Sequence, residues 1–216
     1  MRLAGAPAPG ARRHAAATGC LACALALGAP AVRAQTTPAT RQLAARVCAS
    51  CHGVDGNSRR ASVPTLAGQY GDYLERQLHL FHDQGQRRAS GVMGAIAVHL
   101  TDAQMHDLAD YFSHQPLLPA QQPKLDDVAR GASIWLDGLP DKGVTACAAC
   151  HGVHARGLSE AYPRLAGQGA DYVATQLREF HSGARASDAE RLMRDLAAKL
   201  SDADMNAVAR YVAALD

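Results

Sequence analysis

The hexapeptide CASCHG at residues 48–53 recurs as CAACHG at residues 147–152, an offset of 99 residues. At the same offset PTLAGQ at 64–69 matches PRLAGQ at 163–168. Farther along, Met93 pairs with Met193 at an offset of 100, which one small insertion in a loop explains. This period is far longer than that of a solenoid repeat, so each copy predicts a domain.

The repeat predicts four segments in the chain. Residues 1–34 are typical of a cleaved signal peptide, because a basic start precedes an apolar stretch at 15–31 and the small residues of a cleavage site. Residues 35–115 form the first domain, 116–123 a proline-containing linker, and 124–216 the second domain. Removing the signal leaves 18 basic and 20 acidic residues, a balance that argues against nucleic-acid binding.

Each copy is predicted to be helical. Leu74, Leu78 and Phe81 lie at helical spacing, and the same apolar stripe recurs at 173, 177 and 180. Thr101 followed by Gln104 predicts a capped helix that runs through residue 113, and Ser201 opens its counterpart. A further helix is expected before each CxxCH motif, and no strand pairs are evident. The predicted fold class is therefore all-α.

The CxxCH motif is the attachment signature of c-type haem. Its two thiols form thioethers with the haem vinyl groups, and the adjacent histidine lies beneath the iron. Four of the six cysteines belong to the two motifs, namely Cys48, Cys51, Cys147 and Cys150, and the other two lie in the signal segment. A thioredoxin-like pair lacks its βαβ context, and a zinc site would join Cys51 and Cys147, which have 95 residues between them. We therefore expect two covalently attached haem c groups, with His52 and His151 as proximal iron ligands.

The distal iron ligands are predicted to be Met93 and Met193. Both lie in or beside irregular segments ahead of the last helix of their repeat, where a thioether sulfur can reach the iron and raise its reduction potential. The alternatives are His82 and His181, which also repeat, but each follows an apolar stripe at a helix end, where a solvated histidine is favoured. The remaining repeated methionines, Met105 and Met205, are expected in the core.

Two other repeated features suggest supporting roles. Pro64 and Pro163 are expected to shape the loop beneath each proximal histidine, whose second nitrogen usually donates to a carbonyl. Arg87 and Arg185 follow the apolar helix of each repeat and are candidate partners of haem propionates, with solvated loop arginines as the alternative.

The ordered motifs resemble those of the cytochrome c4 family. The resemblance rests on tandem CxxCH motifs, each followed by PxLAGQ, a YxxxQL helix and a methionine ahead of L(S/T)D, and it covers nearly the whole chain after the signal. It implies two cytochrome-c-like domains related by a pseudo-twofold axis, with the haems facing each other. The sequence departs from the family pattern beside Met93 and Met193, where Gly94 and Leu192 stand in place of a second methionine that is common in the family.

The resemblance implies a periplasmic electron carrier rather than an enzyme. An iron with both axial positions filled by protein is limited to outer-sphere electron transfer. The implied redox partners are a quinol-oxidising cytochrome bc complex and a terminal oxidase, with any membrane association arising through these partners. One alternative is the electron-accepting subunit of a dehydrogenase, as in flavocytochrome c. A dihaem peroxidase is less favoured, because it needs one open iron.

Overall fold

The computed structural model describes residues 36–83, 88, 91–118 and 128–215, and the regular structure of this part of the chain is entirely helical. In place of strands it contains three isolated bridges, at 88 with 185, 139 with 144, and 159 with 162. The helices of the first repeat are α1 Pro38–Leu43, α2 Ala49–His52, α3 Gly71–His82, α4 Gly91–Ala97 and α5 Asp102–Ser113. Those of the second are α6 Ala129–Asp137, α7 Ala148–His151, α8 Ala170–Ser182, α9 Leu192–Ala197 and α10 Asp202–Ala213.

The last helix of each repeat begins where the sequence predicts. Thr101 caps α5, its hydroxyl accepting from the backbone of Gln104 while the Gln104 side chain accepts from the backbone N–H of Thr101. Ser201 caps α10 in the same way, with Asp204 as the partner. These capping boxes satisfy N–H groups that have no partner inside the helix. Both predicted helix starts are confirmed.

Each repeat buries the predicted stripe against its last helix. Helix α3 packs on α5, and α8 packs on α10. Met105 and Met205 are buried in these cores, as predicted, with 0% and 2% of their surface exposed. Helix α6 also lies on α10, where a Cβ on Gly131 would stand 2.1 Å from the carbonyl oxygen of Ala207. The two helices therefore approach more closely than any residue but glycine permits.

The chain reaches the CxxCH motif differently in the two repeats. In the first, α1 continues through a π-helical turn, Ala44–Cys48, directly into α2. In the second, α6 ends at Asp137 with Gly138 as its C-cap, and a 3₁₀ turn at Pro140–Lys142 precedes α7. Gly138 has a φ of 76°, a conformation that favours glycine. The predicted helix before each motif is present, but in the second repeat a turn separates the two.

Some predictions differ from the structure or lie outside it. Met93 and Met193 are expected in or beside irregular segments. Met93 lies inside the short helix α4, whereas Met193 is the second residue of α9 and follows an irregular turn. The predicted signal peptide, most of the linker and Arg87 lie outside the described residues. Within the described residues, no helix is long and apolar enough to cross a membrane.

Each repeat donates hydrogen bonds to backbone carbonyl groups of the other. The backbone N–H of Tyr172 donates to the carbonyl of Ala61 over 2.8 Å. A Cβ on Gly169 would lie 2.2 Å from the same carbonyl oxygen. The Arg76 side chain of the first repeat donates to the carbonyl of Glu160 in the second over 2.9 Å. The repeats are therefore joined closely enough to fix the position of one site relative to the other.

Candidate functional site

The histidine of each CxxCH motif is buried and oriented by a carbonyl. His52 Nδ1 lies 2.8 Å from the carbonyl oxygen of Pro64, and His151 Nδ1 lies 3.0 Å from that of Pro163. A carbonyl oxygen can only accept, so Nδ1 carries the proton and Nε2 keeps its lone pair. Burial lowers the pKa of both histidines and outweighs the carbonyl bond, which acts in the opposite direction. The lowered pKa favours a neutral ring whose Nε2 lone pair is available to a metal. The carbonyl contact expected at Pro64 and Pro163 is present in both repeats.

Two of the cysteines beside these histidines, Cys48 and Cys147, have buried thiols. All four described cysteines are half-buried and outside any disulfide. Burial raises the pKa of the Cys48 and Cys147 thiols to about 11. An uncharged thioether sulfur suits such a site better than a thiolate does. Among the described residues, no three His, Cys, Asp or Glu side chains converge as they would around a single metal ion.

A cavity of about 490 Å³ opens beside the CxxCH motif of the first repeat and is closed in part by residues of the second repeat. Cys48, Cys51, His52 and Met93 all line it. The remaining wall is largely apolar and includes Leu74, Phe81, Ile96 and Leu100. This volume lies within the usual range of cofactor pockets, about 300–1,000 Å³. The structure thus brings the predicted proximal and distal ligands of the first haem to one cavity.

The unsatisfied donors of Arg88 indicate which kind of group this cavity can hold. It lines the cavity with only 7% of its surface exposed, and its Nη2 donates to the Tyr172 hydroxyl over 3.3 Å. Its Nε and Nη1 are buried without a hydrogen-bond partner, and the guanidinium lies 4.7 Å from the centre of the Phe81 ring. A buried guanidinium with two of its three nitrogens unsatisfied is strongly unfavourable. A haem propionate is an acceptor of the required charge, so the cavity fits haem.

Arg185 is the structural counterpart of Arg88, with which it forms an isolated backbone bridge. The sequence suggested Arg87 as this counterpart. Unlike Arg88, Arg185 is well supplied with acceptors, since it donates to the Tyr73 hydroxyl over 3.0 Å and to the side-chain oxygen of Gln176 over 2.7 Å. Arg185 therefore spans the contact between the repeats, because Tyr73 belongs to the first.

In the second repeat, Met193 is half-buried against the core that also contacts Cys147. The turn ahead of Met193 is strained, because Glu190 and Arg191 have φ angles of 50° and 60°. An ion pair between Arg194 and Asp188, 2.7 Å apart, holds this turn. The ion pair thus stabilises the turn that positions Met193.

The alternative distal ligands point elsewhere. His181 Nδ1 lies 2.9 Å from the carbonyl oxygen of Ala197, and the residue is exposed. His82 Nδ1 lies 3.4 Å from the carboxylate of Asp83, at the end of α3. His82 is not among the described residues that line the cavity. These positions correspond to the solvated helix-end histidines that the sequence favoured.

Similarity to known proteins extends over both repeats. The family model described as cytochrome c matches residues 39–116 and again 128–216. Cytochrome c4 of Thiocapsa roseopersicina is 42% identical over 172 residues, covering 78% of this chain and 87% of that protein. The chain belongs to the cytochrome c4 family.

Two further relatives extend the comparison for this cytochrome c4 family member. The crystal structure of reduced cytochrome c4 from Pseudomonas stutzeri matches with a TM-score of 0.76 at 34% identity, covering 82% of this chain and 97% of that one. A protein of Thiomonas intermedia named thiosulfate dehydrogenase electron acceptor is 38% identical, covering 77% of each chain. Membership confirms two cytochrome c domains, two covalent haem c groups and a role in electron transport with redox protein partners.

Sequence reasoning named some functional residues without finding their roles. Gln69 and Gln168 were noted only as part of a repeated motif, yet both are buried and line the cavity. Arg88 was missed in favour of its neighbour Arg87. The available signal was the repetition itself, since a polar residue kept at a buried position in both copies indicates a shared contact.

Proposed function

We propose that His52 and Met93 are the axial ligands of the first haem iron, and that His151 and Met193 are those of the second. Cys48 and Cys51 hold the first haem by thioether bonds, and Cys147 and Cys150 hold the second. The observation that carries this proposal is the first cavity, which His52 and Met93 line together while Nδ1 of His52 is fixed to the Pro64 carbonyl. The second set follows from the repeat and from the matching Pro163 bond.

Bound haem supplies one-electron redox chemistry at its iron. The chain's own residues orient the imidazole, fill both axial positions and surround the group with apolar side chains. Filled axial positions leave no site for a substrate, so we assign the protein to electron carriage and not to catalysis. Dihaem peroxidase activity is disfavoured, because a repeat-equivalent methionine is available for each distal position.

The carrier is assigned to the periplasm, where it accepts electrons from a quinol-oxidising cytochrome bc complex and passes them to a terminal oxidase. The signal-like sequence at 1–34 supports the location, and the cytochrome c4 relatives support the carrier role. Any membrane association arises through these partner complexes.

A second candidate is the electron-accepting partner of a dehydrogenase. The specific observation is the Thiomonas intermedia relative, whose name describes it as the electron acceptor of thiosulfate dehydrogenase. A second relative with that name, at 34% identity, supports the same alternative. This candidate is a form of the dehydrogenase-subunit alternative that the sequence suggested, for which flavocytochrome c was the example.

Electron-transfer assays on the oxidised holoprotein distinguish the two roles. Rapid reduction by quinol and a purified bc complex, followed by oxidation by a terminal oxidase, is expected for the respiratory carrier. Rapid reduction by thiosulfate and thiosulfate dehydrogenase, with slow reduction by the bc complex, would replace it with the second candidate. Peroxide turnover by the holoprotein would contradict both.

A further inference from the structure

Two buried glutamines clamp the repeats together in a reciprocal way. The side-chain oxygen of Gln168 accepts from the backbone N–H of Thr65 over 3.0 Å, and its amide nitrogen donates to the Thr65 carbonyl over 2.6 Å. Gln69 makes the same pair of bonds to Arg164, over 3.0 and 2.8 Å. The two glutamines are only 5–6% exposed. Each repeat therefore places one amide side chain on the backbone of the other.

The peptide held by Gln168 is the one that orients the proximal histidine. The N–H of Thr65 and the carbonyl of Pro64 belong to a single peptide group, and that carbonyl lies 2.8 Å from His52 Nδ1. A continuous chain of hydrogen bonds thus runs from His52 through this peptide to Gln168 in the other repeat.

The second repeat contains the mirror image of this chain. His151 Nδ1 lies 3.0 Å from the Pro163 carbonyl. The N–H of the same peptide, on Arg164, lies 3.0 Å from the side-chain oxygen of Gln69. The same arrangement thus occurs at both histidines, and each chain crosses between the repeats.

Hydrogen bonds in such a chain strengthen one another. An acceptor on a peptide N–H draws electron density toward the carbonyl oxygen, and that oxygen then accepts more strongly from the imidazole. A stronger acceptor at Nδ1 makes the imidazole a more basic ligand at Nε2. A more basic axial ligand favours the oxidised iron and lowers the reduction potential.

We infer that Gln168 and Gln69 are positioning residues that tune, across the contact between the repeats, the axial histidine of the opposite haem. Gln168 acts on His52 and Gln69 acts on His151. This inference rests on the proposed axial role of the two histidines, and it adds that each haem's potential depends on a side chain of the other repeat.

The decisive variant is Gln168→Met in the holoprotein, because methionine has a similar shape but its thioether accepts only weakly from Thr65. The potential of the haem bound to His52 should rise, by about a threefold change in its redox equilibrium constant, or ~28 mV. With ¹⁵N-labelled histidine, the Nδ1–H resonance of His52 should shift while that of His151 does not. Gln69→Met should shift the other haem and the other histidine.

Gln176→Met is the matched control. Gln176 lies in the same repeat as Gln168 and lines the same cavity, but its side chain contacts Glu179 and Arg185. It should leave the His52 Nδ1–H resonance in place. If Gln168→Met does not mature, Gln168→Leu serves instead, because it also removes the acceptor oxygen and should raise the potential of the His52 haem.

The inference is overturned if Gln168→Met keeps both haems and leaves the His52 resonance and its haem potential unchanged. It is equally overturned if the shift falls on the His151 haem, or if Gln168→Leu lowers the potential of the His52 haem. The wild-type spectrum separates these results from a failure of the ligand assignment. Absence of the far-red band between methionine sulfur and iron(III) in the wild type would reject the ligands themselves.

Discussion

Replacing Gly169 by alanine tests how tightly the two repeats are joined. Its added Cβ would lie 2.2 Å from the carbonyl oxygen of Ala61, whereas ordinary van der Waals contact is 3.4–4 Å. The φ angle of Gly169 is −62°, so alanine fits the backbone and the clash is the main effect. Ala61 also accepts from the N–H of Tyr172, a bond that any retreat of the carbonyl would lengthen.

The expected loss in the free energy of unfolding is roughly 2–4 kcal/mol. Overpacking of a tight contact costs about 1–3 kcal/mol, and the weakened hydrogen bond adds about 1 kcal/mol. Urea unfolding of the holoprotein measures this loss, followed by haem absorption and by the fluorescence of Trp135.

Two further variants isolate the cause. Gly71→Ala is the matched control, because its Cβ would meet its nearest neighbour, Ser113 Oγ, at an ordinary 3.6 Å. Gly169 is also the N-cap residue of α8, and at an N-cap serine stabilises a helix whereas alanine does so poorly. Gly169→Ser should therefore remain destabilised if the clash dominates. Wild-type stability in Gly169→Ala, within about 0.5 kcal/mol, or full recovery in Gly169→Ser, would refute the reasoning.

Three other substitutions test separate parts of the structure. Asp204→Asn should lower the free energy of unfolding by about 1–3 kcal/mol, because the partly exposed Arg130 and Lys142 lose a buried partner. Burial opposes ionisation of Asp204, but hydrogen bonds from Lys142, Ser201 and Arg130 outweigh it and hold its pKa well below the usual range. The difference from wild type should therefore be constant above about pH 5 and shrink below about pH 4, and a difference that grows on acidification would contradict this. Arg88→Gln should lower the reduction potential of the first haem, because a nearby cation favours the reduced state. The free energy of reduction should become less favourable by roughly 1 kcal/mol, and a rise of the potential in a redox titration would contradict this. Asp188→Ala should release the turn ahead of Met193, so that the half of the far-red band from the second haem is lost at a lower denaturant concentration. The corresponding free energy should fall by about 2–3 kcal/mol, and the half of the band from the first haem serves as the internal control. Simultaneous loss of both halves would show that Asp188 does not act on Met193.

The fold was largely predictable because the informative signals are local. Thr101 and Ser201 begin helices by hydrogen bonds within four residues, and the apolar stripes of α3 and α8 depend only on helical spacing. The internal repeat doubled each signal. The CxxCH motif also fixes its chemistry locally, because both thiols and the histidine lie within one helical turn.

Predictions that depend on tertiary contacts were less accurate. Helix α4 contains Gly91 and Gly94, which favour an irregular segment, but Met93 and Ile96 line the cavity and packing there overrides local preference. Alignment at a fixed offset could not identify Arg88 as the partner of Arg185, because the insertion lies in that loop. The actual spacing between them is 97 residues.

Some contacts have no repeat signal at all. The carbonyls of Val54 and Val153 are equivalent, yet Tyr111 donates to the first and Trp135 to the second. The two repeats thus meet the same requirement with different residues. The glutamine clamps were hidden for another reason, because each one joins residues that lie in different repeats, about 100 positions apart.

The most direct test of the central claim is an optical spectrum of the holoprotein, matured in a host that assembles c-type cytochromes, together with a pyridine haemochrome count. The account predicts two covalent haems per chain and a far-red sulfur-to-iron(III) band whose intensity corresponds to both. Two haems without that band would contradict the assignment of Met93 and Met193 and direct attention to His82 and His181 or to an open iron. No covalent haem in such a host would contradict the account as a whole.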